Sequence, residues 1–359
     1  MNRTLLAALA ALPLAAFASA ALAQGAPPAT VPWNDPFSRS GPGGMASEPP
    51  IGSPVETHPW PGLPELAVGA IRPREHPSNQ AAGVNVDQFL GRPTEAFARV
   101  FHGLLTRSML RAGDPYKVGP HGAVLEYRDD LSQAILEPRF VTSVIERPQV
   151  FFYYVDGGKG RLDSGPGTPY YDLHDGVGIL IAPNARHRFT NTGEGQLSMV
   201  QLSWTNNEGA TVRQPIKVVD TTQVPLNTNR AHWIHAGKAM FSPADGINVT
   251  ISPILHPALT YGGPHAHLRG VEEIWVKVGA SKGYAMLGSE IRVIDGMGAF
   301  LAPPNGLTPH SSLNIDERHP QTWLYISRRP PAAPAAPVAN AQPQLGVVAP
   351  TAPERAAAR

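Results

Sequence analysis

The stretch Gly263-Pro264-His265-Ala266-His267-Leu268-Arg269-Gly270-Val271-Glu272-Glu273 decides how the rest of the chain is read. Two histidines alternate in it, a carboxylate follows five or six residues later, and a third histidine, His310, stands in a Pro/Gly-rich turn further on. In a strand, residues i and i+2 project to the same side, so both imidazoles can enter one cavity. Two neutral imidazoles, a carboxylate and one more imidazole suit a divalent Zn, Fe, Ni, Cu or Mn ion. The chain has no cysteine, which excludes disulfides, thiolate zinc sites, iron–sulfur clusters and blue-copper sites together. Nitrogen and oxygen must hold any metal.

Around this stretch the texture is one of short strands. Ala123–Tyr127, Val150–Val155, Gly178–Ala182, Ile247–Ile251, Glu273–Val278 and Thr322–Ile326 are rich in β-branched and aromatic residues and are bounded by Gly, Pro, Asn or Asp. Helical periods are nearly absent; the best candidate, Pro93–Leu105, reads equally well as a strand. The pattern then repeats. Phe151–Gly160 lies over Ile274–Gly283, Asp175–Pro183 over Asp295–Pro303, His187 over His310 and Asn191 over Asn314. Small compensating length changes fall in turns, where insertions are tolerated. The chain reads as two copies of one β domain.

The second copy resembles a cupin, a small jelly-roll β-barrel. The first cupin motif falls on Gly263, His265, His267, the Glu272/Glu273 pair and Gly279; the second falls on Gly296, Pro303, His310 and Asn314. The resemblance covers about residues 115–328 and implies an all-β bicupin of two tandem jelly-roll barrels, which composition flanks with an irregular N-terminal arm and a disordered C-terminal tail. It implies metal ligands at His265, His267, Glu273 and His310. Glu272 stays open as the alternative, since it fits the family spacing, whereas Glu273-Ile-Trp-Val fits the usual strand after the liganding glutamate. At a constant offset, Thr142, Val144 and Val150 stand in the first copy where His265, His267 and Glu273 stand in the second, with Gln149 against Glu272, and only His187 keeps its counterpart. The first barrel is thus expected to be metal-free.

The termini read differently. Asn2 and Arg3, an apolar run from Leu5 to Ala18 and the small-x-small site Ala21-Leu22-Ala23 form a secretory signal over residues 1–23. Residues 24–66 form a Pro/Gly-rich arm containing Trp33 and Trp60, 67–220 the first barrel, 221–328 the second, and 329–359 a Pro/Ala-rich tail too poor in apolar residues to fold. The mature protein is expected in the periplasm or outside the cell, with no membrane association after signal cleavage. Lys and Arg total 29 against 28 Asp and Glu, so no field of one sign is available for nucleic acid. A small-molecule substrate and a monomer or homodimer are the expected partners.

If Glu273 points inward, Trp275 and Lys277 share its side, and Lys277 is a candidate acid, base or substrate anchor or a strand-end lysine reaching solvent. Tyr284, Met286, Trp323 and Tyr325 are candidates to line the pocket or simply to fill the core, and His256 to relay a proton or support a ligand. His232 and His235 have spacing that splits them across a strand. The cupin resemblance implies a metal-dependent oxidoreductase of dioxygenase or oxidative-decarboxylase type acting on a small oxygen-rich molecule, with Mn or Fe favoured over Zn, Ni or Cu. The alternatives are a non-catalytic small-molecule or metal-binding cupin and a Zn-dependent lyase or hydrolase.

Overall fold

The computed structural model describes residues 85–330, apart from 206 and 229–235. The expected signal peptide, arm and nearly all of the tail, with Trp33, Trp60, His232 and His235, lie outside the described residues. The described chain is β throughout, with a few 3-10 turns. Pro93–Leu105 is not a helix: a 3-10 turn at Pro93–Glu95 leads into strands Arg99–Phe101 and Leu104–Ala112, joined at His102 and Gly103, both at positive φ.

In the first half, one sheet runs in the order Ile216–Asp220, Val177–Ile181, Val150–Gly157, Leu197–Trp204, Asp130–Leu136, Leu104–Ala112, Arg99–Phe101, with Ala123–Leu125 beside the sixth. A smaller sheet, Arg188–Asn191, Gly160–Asp163, Tyr170–Leu173, closes over it. Strand alternation sorts the side chains. Phe151, Tyr153, Met199 and Ile179 turn into the barrel with Leu162 and Phe189, while Phe152, Tyr154, Val200 and Leu180 turn the other way. The second half repeats this plan. Its large sheet runs Leu90–Gly91, Gly298–Leu301, Glu272–Lys277, Gln321–Arg328, Thr250–His256, Ala236–Gly237, Asn227–Thr228, and its small sheet runs Thr260–Tyr261, His310–Asn314, Lys282–Leu287, Glu290–Asp295.

The two large sheets pack back to back. Phe152, Val200 and Leu202 of the first share one buried cluster with Ile274, Val276, Leu324 and Ile326 of the second. Burial of apolar surface, at about 25 cal/mol per Å2, favours joining the halves along this seam. Leu90–Gly91 adds a stitch: it precedes the first barrel yet pairs with Phe300 and Ala299 at the edge of the second.

Hydrogen bonds fix the correspondence between the copies more closely than the sequence offset does. Asn191 Nδ2 donates to the Leu136 carbonyl as Asn314 Nδ2 does to that of His256. Leu136 pairs with Leu197 and His256 with Gln321; six residues along these strands Ser203 pairs with Phe151 and Ser327 with Glu273. Ile145 exchanges backbone bonds with His187 as His265 does with His310. The Arg147 carbonyl accepts from Asn184 N–H as that of His267 does from Gly306. The first-copy counterparts of His265, His267 and Glu273 are therefore Ile145, Arg147 and Phe151. The constant offset that gives Thr142, Val144 and Val150 is one residue too large at the Glu273 strand and three too large at His265 and His267, the difference being the two extra residues between His267 and Glu273; both errors are odd, so the faces exchange.

Candidate metal centre

His265, His267, Glu273 and His310 converge, each offering a ligand atom within 4.8 Å of the others. The four come from both sheets at one end of the second barrel. Glu273 lies at the start of the large-sheet strand Glu272–Lys277, and His310 opens the small-sheet strand His310–Asn314. His265 bridges to His310, and His267 follows in extended chain beyond it, so their alternation works without a regular strand. Glu273 and His310 are each about 1% exposed, so the centre lies beneath the surface.

The carboxylate organises the group. Glu273 Oε1 stands 2.8 Å from His310 Nε2 and accepts a 2.8 Å hydrogen bond from the Trp275 indole N–H. Its Oε2 is 2.9 Å from His267 Nε2, which is out of line for a hydrogen bond and has no other partner among the described residues. His265 Nδ1–H donates 2.8 Å to the Gly263 carbonyl, fixing the tautomer that leaves Nε2 as a lone-pair donor. Burial lowers the His310 pKa to about 3 and pushes that of His265 down as well, so both rings are neutral. Burial alone would raise the Glu273 pKa, but the adjoining His267 and His310 imidazoles hold it well below the usual range. One buried negative charge among imidazole nitrogens, with His267 Nε2 unpartnered among the described residues, fits a divalent cation; the set has no sulfur and suits Mn, Fe, Zn, Ni or Cu.

Glu272, the alternative, faces the other way. Its Oε2 accepts from the backbone N–H groups of Glu126 at 2.7 Å and Tyr127 at 2.9 Å, and Arg128 Nε lies 4.0 Å from Oε1. It belongs to the seam between barrels. Lys277 shares the Glu273 face, about 13 Å along the strand, and it does not reach solvent. Its Nζ donates to the carbonyls of Val278, Gly279 and Gly296. Gly279 and Gly296 turn at φ 78° and 73°, which only glycine adopts readily. Burial lowers the Lys277 pKa to about 8.

Tyr284 is directed away from the centre. It pairs with Leu313 and shares its face with Met286 in a separate apolar cluster, whereas His310 pairs with Leu287 on the opposite face. The assignment of Tyr284 and Met286 to the pocket is thus corrected by strand register. His256 lies deep in the barrel, fully buried, with Nε2 3.2 Å from Ser312 Oγ and its ring beside Trp275 and Trp323. It contacts the floor of the site through the strand that carries His310.

Beside the centre is a cavity of about 590 Å3 lined by Tyr325, Ser327, Thr250, Asn248, Ile247 and Arg329, among others. Ser327 and Tyr325 are the cross-strand neighbours of Glu273 and Trp275 on the inward face. Burial and the nearby Glu273 charge push the Tyr325 phenol pKa up, and the Arg329 guanidinium acts in the opposite sense. Sequence alternation points to Tyr325, but Ser327 and Arg329 are placed here only by the pairing register.

The sequence matches no protein-family profile and no curated protein. Solved structures do match in fold. AerE from Microcystis aeruginosa superposes with a TM-score of 0.51 at 11% identity, over 67% of this chain and 99% of that one. The formate complex of oxalate decarboxylase from Lactobacillus farciminis gives 0.50 at 10% identity, over 69% and 88%. The fold is that of a cupin. A further oxalate decarboxylase gives 0.50 at 9% identity, over 73% of this chain and 85% of that one. At these identities the cupin likeness concerns the fold; chemistry has to be argued from the site.

Proposed function

We propose that this cupin is a metal-dependent enzyme that acts on a small organic acid, by oxidative decarboxylation or oxygenation, with Mn or Fe held by His265, His267, Glu273 and His310. One observation carries the reading: an ionised, buried Glu273 amid three imidazoles opens beside a cavity that offers an arginine and a protonated phenol. A purely structural cluster has no need of that juxtaposition. A bound divalent ion supplies Lewis acidity, and a redox-active one also supplies electron transfer with dioxygen.

The chain's own groups do the rest. Arg329 at the cavity wall attracts a carboxylate and can hold it through a two-pronged hydrogen bond. The Tyr325 O–H, kept protonated by burial, donates a hydrogen bond to a substrate oxygen. Trp275 fixes Glu273 so that the ligand set stays aligned when substrate enters. The walls of Ile247 and Pro243 limit water at the reacting carbon.

The test is elemental analysis of protein purified without added metal, followed by carbon dioxide release and oxygen uptake with short dicarboxylates, catechols and flavonols. About one Mn or Fe per chain, lost in His310→Ala together with turnover, supports the reading. Stoichiometric Zn without oxygen dependence would turn it towards a lyase or hydrolase, and a metal-free, inactive protein would refute it. Export belongs to the same proposal: the mature chain should be recovered outside the cytoplasm without residues 1–23.

A further inference from the structure

The mouth of the first barrel holds the larger cavity, about 950 Å3. It occupies the position that the metal-side cavity occupies in the second barrel: Gln201 and Ser203 line it where Tyr325 and Ser327 line the other, and Asp130 stands where Thr250 does. The ligand positions have changed chemistry. Ile145 and Phe151 offer no donor atom, and Arg147 places a guanidinium where His267 places an imidazole. This mouth has exchanged a cation site for a cationic one.

Three features show a site with unmet partners. Arg99, Arg111 and Arg147 all line the cavity, and among the described residues none of them lies within ion-pair distance of a carboxylate. Gln201 is 6% exposed, and its Oε1 is buried without a hydrogen-bond partner among the described residues. A ligand donor would supply the hydrogen bond that this oxygen lacks. Finally, Phe97 and Val100, on the segment that borders the cavity, are 93% and 78% exposed, an apolar edge at the entrance.

Acids temper the charge. Asp130 accepts hydrogen bonds from Ser108 and Ser132, and Glu95 pairs with Arg92, so the lining is cationic without being a dense phosphate-binding cluster. Planar guanidinium forks match a carboxylate, whereas Gln201 Oε1 needs a donor. Phe151 and Phe101 supply an apolar wall, and the volume is within the range of ordinary small-molecule sites.

We infer that the first barrel binds a small organic carboxylate carrying a hydroxyl or amino donor and an apolar body, with the anion held by Arg147 and its arginine neighbours and the donor bonded to Gln201. This site is separate from the metal centre and does not depend on the reaction proposed there. The acid is a ligand here and undergoes no chemistry.

The experiment is calorimetric titration of the full chain with mandelate, phenyllactate, phenylalanine, benzoate and inorganic phosphate, repeated on Arg147→Gln, Gln201→Leu and His310→Ala. Phenyllactate or mandelate should bind more tightly than benzoate, which lacks the donor. Arg147→Gln should weaken binding about tenfold or more, with metal content and turnover unchanged. Gln201→Leu, which removes the unpaired oxygen without opening a void, should fold normally and erase the preference over benzoate. Loss of binding in His310→Ala alone would place the acid at the metal centre and overturn the inference. So would preferential binding of phosphate, no binding by any acid, or full affinity in both first-barrel variants.

Discussion

Replacing Glu272 should unfasten the barrels without emptying the metal centre, and replacing its neighbour should do the reverse. The Glu272 carboxylate is 4% exposed, and one oxygen takes both the Glu126 and Tyr127 N–H groups while Arg128, fully buried, stands opposite. Alanine leaves two backbone donors and a guanidinium without their acceptor. Breaking a buried charge pair in this way costs about 3–5 kcal/mol, a large share of the 5–15 kcal/mol that typically holds a domain folded. Glutamine keeps an oxygen for both N–H groups and loses only the charge, for which about 1–2 kcal/mol is expected. Urea unfolding with chelator present removes the contribution of bound metal. With a slope of about 3 kcal/mol per molar, alanine should lower the midpoint by about 1 M or more and glutamine by about half that. Elemental analysis of the untreated proteins should find metal retained in both Glu272 variants and absent from Glu273→Ala. Metal loss from Glu272→Ala at unchanged stability, or a Glu273→Ala protein that keeps its ion, would refute the assignment of the two faces.

Other outcomes follow from the same geometry. Trp275→Phe removes the indole donor to Glu273 and should weaken metal retention about 10- to 100-fold in chelator competition; unchanged retention would mean the indole does not position the ligand. Burial lowers the His187 pKa to about 4, against about 6.5 in the unfolded chain. Between those values only the unfolded state gains the proton, so stability falls as pH drops, by up to about 1.4 kcal/mol per unit. Asp130, Asp156 and Glu272, whose pKa values burial raises, act in the opposite sense. The check is therefore comparative: His187→Phe, set among Phe151, Tyr153 and Phe189, should remove that component from the unfolding-versus-pH curve of chelated protein. Lys277→Met leaves three carbonyls at two glycine turns without a donor and should cost roughly 1–3 kcal/mol in urea unfolding. Its turnover should stay near wild type, and a large fall in kcat with stability intact would return Lys277 to the chemistry.

The histidines and the duplicated strands were legible because they depend on local pattern: alternation, turn residues and a repeat that places His187 over His310. The choice between Glu272 and Glu273 was not, since adjacent strand residues face opposite ways and only pairing with Ser327 and Arg328 shows which is inward. Tyr284 failed for the same reason one sheet away. The sequence leaves Lys277 either catalytic or solvent-bound because nothing local announces that the Gly279 and Gly296 turns close around its ammonium. A constant offset misses the first-copy counterparts because the stretch between His267 and Glu273 is two residues longer than that between Arg147 and Phe151, and an offset cannot locate such a change. Alternation gives a side chain's parity, while its neighbour across the sheet is a long-range fact.

The short pairing of Leu90–Gly91 with Phe300 and Ala299 bears on how the chain can be divided. A polypeptide beginning near residue 221 would contain all four of His265, His267, Glu273 and His310, yet its Gly298–Leu301 strand would lose its outer partner and present free N–H and C=O groups to any passing strand. The same cut would bare Ile274, Val276, Leu324 and Ile326. The half that carries the four candidate ligands therefore depends for its solubility on the half that does not, and loss of the leading barrel by truncation or recombination should yield aggregates rather than a smaller soluble protein.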